Sequence, residues 1–76
     1  MTPVEIKETR EGVGISDRQF AKLLGLSGNG RTHVRRWERG EEMPSGPALG
    51  LMLFLRDYPD PDDWPKELAE RIYEDE

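Results

Sequence analysis

Residues 16–27 read SDRQFAKLLGLS, which predicts one short helix followed by a turn. Ser16 is a favourable N-cap, and Gln19 three residues later completes a capping-box pattern. Apolar side chains occupy four of the next five positions, and Gly25 is a natural helix stop. A helix over residues 17–24 is therefore predicted.

Residues 30–40 read GRTHVRRWERG and predict a second helix over residues 30–39, capped by Asn29 and closed by Gly40. Its only apolar residues are Val34 and Trp37, so one narrow stripe faces the core and a basic face lies opposite. Such a helix suits the major groove of DNA, where arginine donates two hydrogen bonds to guanine. On composition alone, the arginines are more typical of a solvated helix face.

Three further helices are predicted over residues 3–11, 46–57 and 63–74. Ser45 is expected to cap the second of these, and Asp62 or Asp63 the third. The sequence contains no strand pattern or repeat. It therefore predicts an all-α fold, a compact domain of four to five helices.

The charge of the chain is distributed unevenly. The formal net charge is −5, yet residues 57–76 hold nine acids and two bases, whereas residues 1–56 hold seven acids and nine bases. This asymmetry divides the chain into a domain over residues 1–58 and an acidic extension over residues 59–76. The apolar residues of the extension have two interpretations: they fold back on the core, which is favoured because so small a body is marginal alone, or they join two subunits. They are Trp64, Leu68 and Ile72.

Several classes of protein are excluded by composition. The chain has no cysteine and one histidine, so disulfides, thiolate metal sites and a nucleophile–base pair are not expected. The acids between Asp57 and Asp63 lack the glycine and glutamate spacing of a calcium loop. No apolar run is long enough to span a membrane. We expect a soluble cytoplasmic protein that is not an enzyme and binds no cofactor and no metal.

Residues 4–56 resemble the helix-turn-helix family of phage-type repressors, the Cro and XRE-like group. The resemblance is carried by Arg10, Gly14 and Ser16, followed by FAKLLGLS, VRRWERG and PSGPAL. The last three segments begin at Phe20, Val34 and Pro44. The resemblance implies a lambda-repressor-like fold, double-stranded DNA as the partner, and a bacterial or phage-encoded transcriptional regulator acting at the nucleoid.

The same resemblance implies roles for individual residues. The base-reading positions of the recognition helix are Arg31, Thr32, Arg35 and Arg36. Arg39 falls near the DNA backbone. Independently of the resemblance, Arg18 or Gln19 is expected to contact phosphate at the start of the second helix, and the free amides at the beginning of the fourth helix, at Ser45, are expected to hold a phosphate. Thr32 and Ser45 could equally be helix-capping hydroxyls. Glu38 is expected to pair with Arg10 and so tie the first helix to the third.

Two features depart from the family pattern. Six residues separate Ser27 from Val34 where the family usually has three, so the turn near residues 28–30 is lengthened. Asp17 stands where many relatives have a glutamine that binds phosphate, and an acid there would repel phosphate.

Two functions remain open on the sequence. The first is a regulator that binds an inverted repeat as a homodimer, with half-sites about 34 Å apart. The alternative is an antitoxin-like or adaptor module that keeps the fold and uses residues 57–76 to bind a protein partner. The steep salt dependence of DNA binding would distinguish them.

Overall fold

A computed structural model of the protein describes residues 1–26 and 28–73. These residues form five α-helices and one short 3₁₀ helix, and no strand occurs among them. The all-α prediction is therefore confirmed. The helices are α1 (Pro3–Val13), α2 (Asp17–Leu23), α3 (Gly30–Arg39), α4 (Pro47–Asp57) and α5 (Lys66–Tyr73), with the 3₁₀ helix at Pro61–Asp63.

The beginning of α2 is as predicted. The Ser16 hydroxyl accepts a hydrogen bond from the Gln19 backbone N–H at 3.1 Å, and the Gln19 side-chain oxygen accepts one from the Ser16 N–H at 3.1 Å. A second capping box, between Thr2 and Glu5, begins α1. That helix continues two residues beyond its predicted end because the left-handed turn is made by Gly14, at φ 84°, which closes the helix.

The start of α4 differs from the prediction. Ser45 is not its cap: Gly46 occupies the N-cap position at φ 60°, and no side chain caps the helix. The preference of proline for the first helical turn places the start at Pro47 instead. Asn29 precedes α3 as predicted, but its side chain makes no capping hydrogen bond.

The prediction of a last helix over residues 63–74 is wrong about where that helix begins. Pro65 drives the residue before it out of the helical region, and Trp64 is extended at ψ 156°. The 3₁₀ helix therefore ends at Asp63 and α5 begins at Lys66. The predicted end at residue 74 lies outside the described residues.

Residues from all five α-helices meet in one apolar core. Trp64 and Ile72 belong to it, and Leu68 packs against it, so the extension folds back on its own chain. The Trp64 indole N–H donates to the Tyr58 carbonyl at 2.6 Å, and Arg71 Nη1 donates to the Leu23 carbonyl at 2.8 Å. The second bond satisfies a carbonyl at the end of α2. The division of the chain at residue 58 stays a prediction.

The helices α2 and α3 approach each other closely at Gly30. A Cβ atom at Gly30 would lie 2.6 Å from Leu26 Cβ and 3.1 Å from Ala21 Cβ. Both neighbours are carbon atoms next to the backbone, so they cannot rotate away. Gly30 is therefore the point at which the beginning of α3 is held against α2.

Gly30→Ala is expected to lower the free energy of unfolding by about 1–3 kcal/mol, because the added methyl overpacks the crossing of α2 and α3. Gly50→Ala is the matched control. Gly50 lies inside α4 with nothing within 4 Å of its missing Cβ, so alanine there should stabilise by about 0.5–1 kcal/mol. Urea unfolding of the two variants measures both effects, and equal stabilisation by both would contradict the close approach.

Candidate nucleic-acid interface

The two faces of α3 differ sharply. Val34 and Trp37 are buried, as their spacing predicted. The opposite face is exposed and carries the predicted DNA-contacting residues of this helix, which are Arg31, Thr32, Arg35, Arg36 and Arg39. The structure thus brings these five side chains together on one basic surface, which we call the α3 face.

Asp17, the first residue of α2, contacts two arginines of the α3 face. Its Oδ2 accepts a hydrogen bond from Arg35 Nε at 2.9 Å, and its Oδ1 lies 3.2 Å from Arg31 Nε. Burial raises the pKa of Asp17, but the hydrogen bond from Arg35 and the charge of Arg31 outweigh it, so the pKa lies below its usual value near 3.8. No local pattern in the sequence predicts this contact, because the partners are distant along the chain.

A second acid, Glu42, lies beside the other end of α3. Its Oε2 is 2.7 Å from His33 Nδ1 and accepts a hydrogen bond from the Trp37 indole N–H at 3.0 Å. Its Oε1 is 3.7 Å from Arg36 Nη1. The His33 ring also stacks on Trp37, with ring centroids 6.3 Å apart. Glu42 therefore places a negative charge beside the C-terminal part of the α3 face.

Arg10 and Glu38 form a bidentate pair between α1 and α3. Arg10 Nε and Nη2 donate to the two carboxylate oxygens at 2.8 and 3.2 Å, and Nη1 donates to the Ile15 carbonyl at 3.0 Å. The hydrogen bond to Glu38 raises the pKa of Arg10. The pair turns Glu38 towards α1, so this acid is neutralised within the fold.

The remaining sequence-predicted residues lie outside α3. Arg18 and Gln19 are in the first turn of α2, where the amide oxygen of Gln19 is engaged in the capping box. Ser45 is exposed in the connection before α4.

A cleft of about 240 Å³ lies on the surface beside α2 and the beginning of α3. Three cationic side chains line it: Arg18, Lys22 and Arg31. Its floor includes Gly28 and Gly30, which belong to the lengthened turn. Sequence reasoning missed Lys22, although its position four residues after Arg18 places both on one side of α2. The cleft extends the positive surface from α3 onto α2.

The described residues form neither a metal-ligand cluster nor a membrane-spanning helix. Within residues 1–26 and 28–73, no three acidic or histidine side chains are grouped so as to hold a metal ion. No helix in that part of the chain has the length and apolarity needed to cross a membrane.

The sequence of this chain is similar to those of several known proteins. A family model described as helix-turn-helix matches residues 6–53. The chain is 43% identical over 60 residues to the type II methyltransferase M.SsoII of Shigella sonnei and 40% identical over 50 residues to the type II methyltransferase M1.ScrFI of Lactococcus lactis subsp. cremoris. It is 35% identical over 60 residues to antitoxin HigA-2 of Vibrio cholerae. No solved structure matches it significantly.

The extent of these matches differs between the relatives. The matches cover 79%, 66% and 79% of this chain. They cover only 15% and 13% of the two methyltransferases, and 55% of the antitoxin. The similarity to the methyltransferases therefore concerns a small segment of each and does not carry methyl transfer to this chain.

Arg10→Ala is expected to lower the free energy of unfolding by about 1–3 kcal/mol, because Glu38 would lose its charged partner in a half-buried site. Lys7→Ala removes a cation from an exposed position of the same helix and should have little effect. Thermal and urea unfolding compare the two. An unchanged stability of the Arg10 variant would show that the pair does not hold α1 to α3.

His33→Ala is expected to raise the pKa of Glu42. The hydrogen bond from His33 is the main reason that this pKa lies below its usual value near 4.5. Because the folded pKa is depressed, the stabilisation that Glu42 provides is complete above about pH 4.5 and is lost as the pH falls through the folded value.

An NMR titration of the Glu42 carboxyl carbon measures this pKa directly. Arg39→Ala is the control and should leave the midpoint in place, because Arg39 lies beside Glu41, 3.6 Å from its carboxylate. If the midpoint is the same with and without the His33 ring, the contact is absent in solution.

Proposed function

This chain belongs to the helix-turn-helix family of the Cro and C1 type, a family of DNA-binding domains, and we propose that it is a transcriptional regulator that reads a specific DNA sequence. The observation that carries the proposal is the α3 face. A helix anchored by Val34 and Trp37 presents several cations outward from one side. We propose that this face enters the major groove.

Arginine chemistry supports base reading by α3. The guanidinium group can donate two parallel hydrogen bonds to O6 and N7 of guanine, the commonest specific contact in the major groove. The side chains of Arg31, Arg35 and Arg36 are 54%, 47% and 51% exposed, so each retains an accessible edge beside its acidic neighbour. We propose these three, with Thr32, as the base-contacting residues.

Residues around α3 are proposed to contact the DNA backbone. The cleft beside α3 adds the positive charges of Arg18 and Lys22 to the side of the recognition helix, where a phosphate of the groove edge would lie. The further backbone contacts proposed are Arg39, from the family resemblance, Gln19 in the first turn of α2, and Ser45 just before α4. Backbone contacts of this kind position α3 but carry no sequence information.

Binding as a homodimer is proposed because one small domain makes few contacts. The longest dimension of the described residues is 32 Å, close to the roughly 34 Å between successive major grooves on one side of the duplex. This size supports the proposal that two copies bind adjacent half-sites of an inverted repeat.

A protein partner is a second candidate function. The likeness to a protein named as an antitoxin supports it, since that name indicates opposition to a toxin. The exposed acids between Asp57 and Glu70 supply a negative surface for a basic partner. Both functions are compatible with one chain, because these acids and the arginines of α3 lie on different helices.

Arg35→Ala is expected to weaken binding to the selected site by about 1–3 kcal/mol, roughly 5- to 150-fold, and to relax the preference at one base pair. The site is first found by selecting bound duplexes from a random pool. Arg56→Ala is the matched control, because it removes the same charge from the exposed surface of α4.

The outcome separates the two candidate functions. A selected inverted repeat, with binding lost on Arg35→Ala and retained on Arg56→Ala, supports the regulator. No selected sequence, together with weak binding that vanishes at moderate salt, would reject it and leave the protein partner as the function to pursue. Equal loss on every sequence would instead identify Arg35 as a phosphate contact.

A further inference from the structure

We propose that Asp17 is a specificity-determining positioning residue, whose carboxylate holds Arg31 and Arg35 as a fixed pair for reading guanines. The inference rests on the proposed function, because it assigns a role within DNA reading. It reverses the expectation that an acid at the start of α2 only opposes DNA binding. The geometry of one carboxylate between two arginines carries it.

The two arginines are one helical turn apart on α3 and meet a single acid from another helix. Each takes a different oxygen of Asp17, Arg35 at 2.9 Å and Arg31 at 3.2 Å. The acid is the more enclosed partner, with its side chain 23% exposed against 47% and 54% for the arginines. Asp17 is itself fixed at the first turn of α2 by the adjacent capping box. Asp17 is thus held in place by α2, and it restrains the side chains of Arg31 and Arg35.

The atoms used in these contacts matter for recognition. Both arginines approach Asp17 most closely through Nε. Among the described residues, no hydrogen bond engages the terminal Nη groups of either Arg31 or Arg35. Those groups remain available as donors for the O6 and N7 atoms of guanine. Anchoring at Nε thus fixes the guanidinium plane and keeps an edge for the base.

Restraint favours a specific contact over a non-specific one. A free arginine can turn to any nearby phosphate, whereas a held one contacts only what lies in its plane. Ordering the two side chains before binding also removes part of the entropy cost of the specific complex. The negative charge of Asp17 meanwhile weakens attraction to every phosphate backbone alike. The restraint therefore lowers non-specific binding relative to binding of the correct site, whereas the charge lowers both by the same factor.

The other acids beside α3 lack this arrangement. Glu41 lies 3.6 Å from Arg39 as a single ion pair, and Glu42, 3.7 Å from Arg36, makes its shorter contacts with His33 and Trp37. Glu41 therefore offers a matched control, since Glu41→Gln removes one negative charge beside the same helix without releasing two arginines held by one carboxylate.

The experiment uses the full chain as wild type, Asp17→Ala, Asp17→Asn and Glu41→Gln. For each protein, affinity is measured at one salt concentration for the duplex that the wild type selects, for duplexes in which each guanine is replaced singly, and for a random-sequence duplex. Thermal unfolding confirms that each variant is folded. Asp17→Asn keeps the size and one acceptor oxygen, so it serves if the alanine variant fails to fold.

Asp17→Ala is expected to bind random DNA about 2- to 5-fold more tightly, while its ratio of specific to random affinity falls at least about 10-fold. The lost discrimination should fall on particular guanines, and Asp17→Asn should lie between it and wild type. Glu41→Gln should tighten both kinds of DNA by the same factor and leave the ratio unchanged.

The results that would contradict the inference differ in whether they also reject the proposed function. If Asp17→Ala or Asp17→Asn changes specific and random affinity equally, Asp17 acts only through its charge or through stability, and the inference is overturned. If the wild type selects no sequence at all, the proposed function fails and this inference fails with it. A wild type that selects a site while the variants keep their ratio rejects the positioning role alone.

Discussion

The close approach of α2 and α3 at Gly30 is the constraint on which the interface depends. With only hydrogen at that position, the beginning of α3 lies against Ala21 and Leu26. The same approach brings the first residue of α2 to the outer side of α3, where Asp17 reaches Arg31 and Arg35. A wider spacing between the helices would lengthen both ion pairs. Packing inside the domain thus determines how charge is arranged on its surface.

Local patterns in the sequence predicted the helices well, but they did not predict contacts between residues that are distant along the chain. The Ser16 and Gln19 capping box and the limits of α3 follow from residues a few positions apart. The start of α4 was misplaced because two competing signals, a serine and a following Gly-Pro, stand next to each other. The pairing of Asp17 with Arg35 spans 18 residues and depends on how the helices cross, which no local pattern records. The pairing of Arg10 with Glu38 was reached only through resemblance to a family.

Acidic side chains lie beside the α3 face along the length of the helix. Asp17 lies beside its first turns, Glu42 beside its last, and Glu38 turns inward to Arg10. Asp17, Glu41 and Glu42 thus offset part of the charge of the four arginines, whereas Glu38 is neutralised by Arg10. The α3 face stays basic in a chain of net charge −5 because nine of the acids lie in residues 57–76. The partial neutralisation makes the geometry of each arginine as important as its charge.

The two tryptophans lie in different parts of the fold, and this gives the protein two separate optical reporters. Trp37 is buried under the α3 face, stacked on His33 and hydrogen-bonded to Glu42. Trp64 is buried between α4 and α5, with its indole bonded to the Tyr58 carbonyl. Replacing either by phenylalanine leaves one tryptophan, so emission from Trp37 follows events at α3 and emission from Trp64 follows the docking of α5. Changes at these two helices can thus be followed independently in one small chain.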